Sequence, residues 1–307
     1  MKVFVTGASG WIGRAVVPEL LGANHQVLGL ARSEEAATAL RAAGAEVLRG
    51  TVDDLDVLRA GAYASEGVIH LAFKHDLAFS GDFQGAADAD RRAIETFGDA
   101  LAGTERPFVI ASGLLGLTPG HVSTEDVGHE IASSAHVASG PSQRHANAET
   151  TLGFASRGVR SSIMRLAPTV HGDGDNGFMA TVVAIARATG LSGYIGDGSN
   201  RWPAIHRFDA ARLFRLALEN APSGTTLHAT AEEGVAIRDV AEVIGRHLNV
   251  PVVSIAPEDA GAHFTWLAPF LALDSPASNL KTRELMDWTP THRGLLEDLD
   301  GDWYYRQ

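Results

Sequence analysis

Three glycines at a spacing of three, Gly7, Gly10 and Gly13, stand between a β-rich run and a run with helical apolar spacing. Lys2–Thr6 (KVFVT) reads as a short strand. Trp11–Leu21 (WIGRAVVPELL) reads as a helix, with Pro18 a mild objection inside it. A strand that turns through glycines straight into a helix leaves unpaired N–H groups and the positive end of the helix dipole facing the space beyond the turn. In such a turn Gly7 permits the tight bend, Gly10 lets the backbone approach a diphosphate, and Gly13 allows close packing of helix on strand. Ser9, Trp11 and Ile12 complete the loop. The spacing is G-x-x-G-x-x-G, and its place directly after a first strand points to a dinucleotide.

The rest of the first half repeats the same alternation. Strand-like runs fall at Gln26–Leu30, Glu46–Arg49, Gly67–Leu71, Pro107–Ala111 and Val159–Leu166. Helical patterns lie between them at Glu34–Ala42, Asp54–Ala60, Asp82–Ala102 and Ser142–Arg157. This predicts an α/β fold: a Rossmann-type doubly wound parallel sheet over residues 1–167. After Pro168 the pattern loosens into Gly-rich loops, helices at Met179–Ala188, Asp209–Asn220 and Ile237–Leu248, and strands at Thr226–Ala229 and Val252–Ile255. Residues 168–307 are therefore expected to form a smaller mixed substrate lobe, with some crossing of the chain between the two parts.

Composition narrows the partners. With 25 basic against 37 acidic residues the net charge is −12, unsuited to nucleic acid or an anionic membrane. The absence of Cys excludes disulfides, thiolate metal sites and Cys nucleophiles. No targeting segment or spanning run is read, the apolar stretch Phe264–Leu273 being broken by Pro269 and too short, so a cytoplasmic location is expected. No metal site is expected. His129-Glu130 is followed by His136, which fails the H-E-x-x-H spacing. The Asp173–Gly177 loop lacks the closing Glu of a calcium loop.

The second strand ends in Ala31-Arg32-Ser33, 19 residues beyond Gly13, where a ribose-binding carboxylate would otherwise stand. A carboxylate repels a 2′-phosphate, whereas Arg32 and Ser33 can bind one, which favours NADP(H) over NAD(H). Arg32 as a solvated residue and Ser33 as a helix cap are the alternative.

TGASGWIG, GTVDDLDVL, VIHLAF, FVIASG, RLAPTVHG and RWPAIHRFDAARLFRLALE together resemble the extended branch of the short-chain dehydrogenases/reductases, over most of the chain. The resemblance implies cofactor contacts from Leu71, Ala72, Pro168 and Val170, and an active-site Ser at Ser112. It also implies adenine contacts at Thr51 and Val52, where the family usually has Asp. The family's Tyr-x-x-x-Lys is missing. None of Tyr63, Tyr194, Tyr304 and Tyr305 is followed by Lys at that spacing. With Glu149 as reference, the Tyr position is Pro141 and the Lys position is His145. The chain thus resembles an atypical subgroup.

Pro141 carries no side-chain proton. His145 is a candidate for gripping the nicotinamide ribose or for acid/base work at its ordinary pKa of ~6.5. Ser112, Tyr194 and His206 are the further catalytic candidates, with His121, Glu125 and Asp126 in the loop after Ser112. The expected function is NADP(H)-dependent hydride transfer to a small carbonyl or imine-like substrate with a non-tyrosine proton donor. A non-catalytic NADP(H) sensor is the alternative, and a nucleotide-sugar epimerase or dehydratase a weaker one. The resemblance further implies a homodimer through Asp82–Ala102 and Ser142–Arg157.

Overall fold

The computed structural model describes residues 1–128 and 141–306. Six strands come from the first half: β1 (Lys2–Thr6), β2 (Gln26–Ala31), β3 (Glu46–Arg49), β4 (Gly67–His70), β5 (Pro107–Gly113) and β6 (Arg160–Leu166). The helices between them are α1 (Gly13–Gly22), α2 (Glu34–Ala42), α3 (Leu55–Tyr63), α4 (His75–Phe79), α5 (Phe83–Leu101) and α6 (Pro141–Gly153). β7 (Thr169–His171), β8 (Ser192–Ile195), β9 (Arg201–His206), β10 (Thr225–Ala229), β11 (Glu232–Ala236) and β12 (Val252–Ile255) follow. They are interleaved with α7 (Phe178–Thr189), α8 (Arg207–Asn220) and α9 (Ile237–Leu248), and the short helices α10 (Ala260–Phe264), α11 (Ala268–Leu271), α12 (Leu280–Met286) and α13 (Leu295–Leu299) close the described chain.

One seven-stranded sheet runs in the order β10-β6-β5-β4-β1-β2-β3, and every pairing in it is parallel. From β1 the chain winds outward through β2 and β3, then returns to place β4 on the other side. The crevice above β1 and β4 is therefore the switch point, where a sheet of this kind holds its ligand. Thr6 lies opposite His70 there, and Gly7 and Leu71 continue beyond the two strand ends.

Strand residues alternate between two covered faces, as a parallel sheet demands. Val3, Val5, Ile69, Val109 and Met164 pack under α1 and α8, against Val16, Leu20, Leu213 and Phe214. Phe4, Val68, Phe108, Ile110 and Ile163 pack the opposite way, against Leu58 of α3, Ile94 and Phe97 of α5 and Ala148 of α6. This alternation carries Ala111 to the first face and Ser112 to the α6 face. Thr226–Ala229, expected in the second lobe, instead extends the main sheet as β10, with Leu227 and Ala229 fully buried. The second lobe has its own core of Met179, Val183, Trp202, Ile244, Phe264 and Leu267. It carries a mixed sheet β11-β9-β7 and a parallel pair β12-β8.

The helical pattern expected from Ser142 to Arg157 forms as α6, followed by a 3₁₀ turn at Phe154–Arg157. Pro18 sits inside α1 without ending it. Among the described residues no helix is long and apolar enough to cross a membrane. On α5 and α6, no described residue is a large exposed hydrophobic.

Candidate functional site

The glycine loop is fixed by backbone contacts. Gly7 has a φ of +65°, and a Cβ there would lie 2.8 Å from the Ala72 nitrogen. A Cβ on Gly13 would lie 2.2 Å from the Gly7 carbonyl oxygen. The Gly10 amide donates to that same oxygen at 2.9 Å, and the Arg14 amide donates to Gly10. The amides of Ser9, Trp11 and Ile12 donate to no acceptor among the described residues. They stand at the start of α1, where the dipole favours an anion. The Trp11 indole donates to the Val170 carbonyl at 2.8 Å, and the Arg207 guanidinium lies 4.4 Å over the Trp11 ring. The loop after β6, with Pro168 and Val170, is thereby drawn beside the glycine loop. Leu71 and Ala72 are tied to it as well: their amides donate to the Thr6 carbonyl and hydroxyl.

At the ends of β2 and β3 the four expected contacts gather on one edge. The Arg32 guanidinium is 76% exposed and 3.8 Å from Asp76. Ser33 caps α2, its hydroxyl accepting from the Ala36 amide at 3.1 Å. The Thr51 amide and hydroxyl both donate to Asp54, and Val52 is half-buried in the same turn. Glu34, one residue beyond Ser33, turns to Arg41 and Arg49, and Arg41 holds its carboxyl below the usual range. The carboxylate nearest in sequence is thus paired away from Arg32.

A buried polar chain that sequence reasoning missed runs beneath the crevice. Thr6 Oγ1 is 2.6 Å from His70 Nδ1, and His70 Nε2 is 3.2 Å from Asp90 Oδ1. Asn147 of α6 donates to Asp90 Oδ2 at 2.8 Å and to the Ala87 carbonyl at 2.9 Å. All four side chains are buried. They couple the residue before Gly7 to the helix that carries His145. Sequence offered no signal for this, because His70 sits in an apolar run and Asp90 and Asn147 sit 20 and 77 residues further on.

At the far side of the crevice Ser112 is 2% exposed, and its hydroxyl has no hydrogen-bond partner among the described residues. It lies opposite Arg165 of β6. Arg165 is buried, donates to the Val127 carbonyl at 2.7 Å and stands 3.8 Å from Glu149. His145 is half-buried on α6. Burial first, then the charges of Arg165 and Arg144, lower its pKa to about 4. At neutral pH its ring is therefore uncharged, so it holds one N–H and one acceptor nitrogen. This makes it a partner for hydroxyl groups rather than a store of protons. The side chain of Pro141 lies outside the described residues, as do His129, Glu130 and His136.

The other candidates have different neighbours. Tyr194 is on β8, its ring against Gly198 and 5.6 Å from the Arg238 guanidinium. His206 ends β9, caps α8 by accepting from the Phe208 amide, and stacks on His292 at 4.6 Å. Burial, then His171 and His292, lower its pKa to about 4. Glu125 accepts from the Thr282 amide and hydroxyl, Asp126 pairs with Lys281, and His121 Nδ1 lies 3.3 Å from the Pro119 carbonyl. Asp175 accepts from the Gly177 amide and the Tyr304 hydroxyl. No group of three or more described His, Asp or Glu is placed to hold a metal ion.

A profile of the NAD dependent epimerase/dehydratase family matches residues 3–86, the stretch that holds the glycine loop and the first four strands. An uncharacterized protein of Schizosaccharomyces pombe is 47% identical over 305 residues, 99% of this chain and 100% of that one. One of Saccharomyces cerevisiae is 42% identical over 301 residues, 97% of this chain and 98% of that one. Residues 3–86 thus match the NAD dependent epimerase/dehydratase family, and the chain is similar end to end to the two yeast proteins. The fold is also that of a dTDP-glucose 4,6-dehydratase from Bacillus anthracis, solved in complex with NAD. The TM-score is 0.75 at 15% identity, over 99% of this chain and 96% of that one. The parallel order β5-β4-β1-β2-β3 brings the glycine loop, the β2 and β3 ends and the β5 end to one edge of the sheet.

Proposed function

We propose that the protein is an NADP(H)-dependent oxidoreductase that reduces a small carbonyl or imine-like compound, in an atypical subgroup lacking the Tyr-x-x-x-Lys pair. The observation that carries this reading is the set of unpaired amides at Ser9, Trp11 and Ile12, in a turn where Gly7 and Gly13 have no room for a side chain. Those amides fit a dinucleotide's diphosphate, and the exposed Arg32 fits the 2′-phosphate. The structurally similar dehydratase bound to NAD supports the same use of the crevice.

When bound, the nicotinamide supplies hydride. The chain's own residues bind and orient. The Ser112 hydroxyl, buried without a partner, is free to donate to a substrate oxygen or nitrogen. The neutral His145 is suited to hold ribose hydroxyls. Because its pKa lies near 4, His145 supplies no proton at pH 7. The proton then comes from water, and an iminium substrate needs no acid at all.

The test is to mix the protein with NADPH and a panel of carbonyl and imine compounds and follow nicotinamide absorbance. Oxidation in proportion to product supports the reading. Tight binding with no turnover across the panel overturns it in favour of a non-catalytic NADP(H) sensor. We further propose a homodimer through α5 and α6, and light scattering that returns a monomer at micromolar concentration contradicts it.

A further inference from the structure

Arg207 opens α8 beside the glycine loop. Its guanidinium lies 4.4 Å over the Trp11 ring and 4.8 Å over the Phe208 ring. Its Nε is buried without a hydrogen-bond partner, and among the described residues no carboxylate meets it in an ion pair. Asp173, then Asp298 and Asp175, act on it only through space. Asp298 is already bonded to His171, and Asp175 to Gly177 and Tyr304. The like charge of Arg14 acts on it as well, while Arg14 Nε donates to the Ser9 carbonyl at 2.9 Å. A guanidinium stays charged, so two of them held near one another without a contacting anion are costly until an anion completes them.

The loop after β6 leaves room for that side chain. Gly172 has a φ of +140°, and a Cβ on it would lie 3.3 Å and 3.4 Å from Arg207 Cγ and Cδ. Stacking occupies the flat face of a guanidinium and leaves its edge N–H groups free, and that edge can meet a phosphate through two parallel bonds. The ring beneath it belongs to Trp11, whose amide is one of the three without an acceptor. The Trp11 indole is bonded to Val170, which follows β6, whereas Arg32 follows β2. The sheet order puts β6 and β2 on opposite sides of β1. Arg207 and Arg32 thus flank the glycine turn from opposite sides.

We infer that Arg207 binds the diphosphate of the dinucleotide, its edge N–H groups closing on the oxygens that the Ser9, Trp11 and Ile12 amides hold. The inference rests on the dinucleotide reading above and adds to it a side chain from outside the turn. Amides and a helix dipole bring only partial charges to a diphosphate, whereas a guanidinium brings a whole one. In a chain of net charge −12, a cation fixed at this point also offsets the general repulsion of a polyanionic ligand. The 2′-phosphate stays with Arg32, so the two arginines divide the phosphates of one ligand between them.

The experiment titrates the whole protein by calorimetry with three probes: NADPH, ADP, which carries a diphosphate and no 2′-phosphate, and adenosine 2′-monophosphate, which carries the reverse. Arg207→Met is expected to weaken NADPH and ADP by the same factor, at least about tenfold, and to leave adenosine 2′-monophosphate within about twofold of wild type. Arg32→Met should give the opposite pattern, weakening NADPH and adenosine 2′-monophosphate and sparing ADP. Arg207→Lys keeps the charge without the planar stack, and its ADP affinity should fall between wild type and Arg207→Met. Added salt should weaken ADP more steeply in the wild type than in Arg207→Met. If Arg207→Met does not fold, Arg207→Lys carries the same comparison, with ADP weakened and adenosine 2′-monophosphate spared. Unchanged ADP affinity in the variant overturns the inference, as does an equal loss of all three probes. NADPH binding that survives Arg207→Met intact sinks this inference alone. A wild type that binds neither NADPH nor ADP sinks the dinucleotide reading beneath it.

Discussion

The two walls of the crevice are built from different material. The wall at Gly7–Gly13 is backbone: its shape depends on the absence of side chains, and its ligand-facing groups are amides. The wall at Ser112, Arg144 and His145 is side chain, and each group there takes its character from burial and neighbouring charge. A backbone wall tolerates almost no change of residue type. A side-chain wall can exchange its chemistry while the fold stays the same. A cofactor surface and a reaction surface within one crevice are thus free to diverge independently.

The sharpest way to break this comparison is Gly13→Ala. The new Cβ meets the Gly7 carbonyl at 2.2 Å and Ala8 backbone atoms at 2.6 Å, none of which is a flexible side-chain end. NADPH affinity is expected to fall more than about a hundredfold and stability by roughly 1–3 kcal/mol. Gly113→Ala is the matched control on the other wall. Nothing lies within 4 Å of its Cβ, so stability and NADPH affinity should stay at wild-type values. Denaturant melts and calorimetry read both.

Acid should act through the side-chain wall and the buried histidines behind it. His145, His206 and His228 all have folded pKa values of about 4, each lowered first by burial. Folding therefore favours their neutral forms. Their contribution is complete above the unfolded pKa of ~6.5, falls as pH drops through that value, and levels off below about 4. On the order of 2 kcal/mol is at stake for each fully buried ring. Urea melts at pH 7 and pH 5 should show a marked loss at the lower pH. A flat profile between them contradicts the neutral assignment.

Arg32→Glu sharpens the comparison on the adenosine side. It should weaken NADPH about tenfold or more and leave NADH unchanged or improved, because a carboxylate repels the 2′-phosphate. Ser33→Ala should have the smallest effect. It removes the α2 cap and costs about 1 kcal/mol of stability. A loss of NADPH affinity equal to that of Arg32→Glu would show that Ser33 serves the ligand more than the helix.

How much of this was legible in the sequence follows the same division. The glycine loop could be read because only glycine fits a φ of +65° beside Ala72 and a 2.2 Å approach to Gly7. The strands of the first half could be read because a doubly covered sheet requires near-continuous apolar runs. That β10 crosses back to join the main sheet could not be read, because a strand's spelling states its burial and not its partner. The Thr6–His70–Asp90–Asn147 chain was invisible, since its members meet only through the packing of α5 and α6 on the sheet. The charge state of His145 was equally hidden: residue type gave ~6.5, whereas burial, then Arg165 and Arg144, bring it to about 4.

The central claim is that the amides of the Gly7–Gly13 turn and the Arg32 guanidinium hold a phosphorylated dinucleotide. Calorimetric titration of the protein with NADPH and, separately, NADH tests it most directly. Saturable binding of one NADPH per chain, at least about tenfold tighter than NADH, is the predicted result. No heat with either dinucleotide, or tighter binding of NADH, contradicts it.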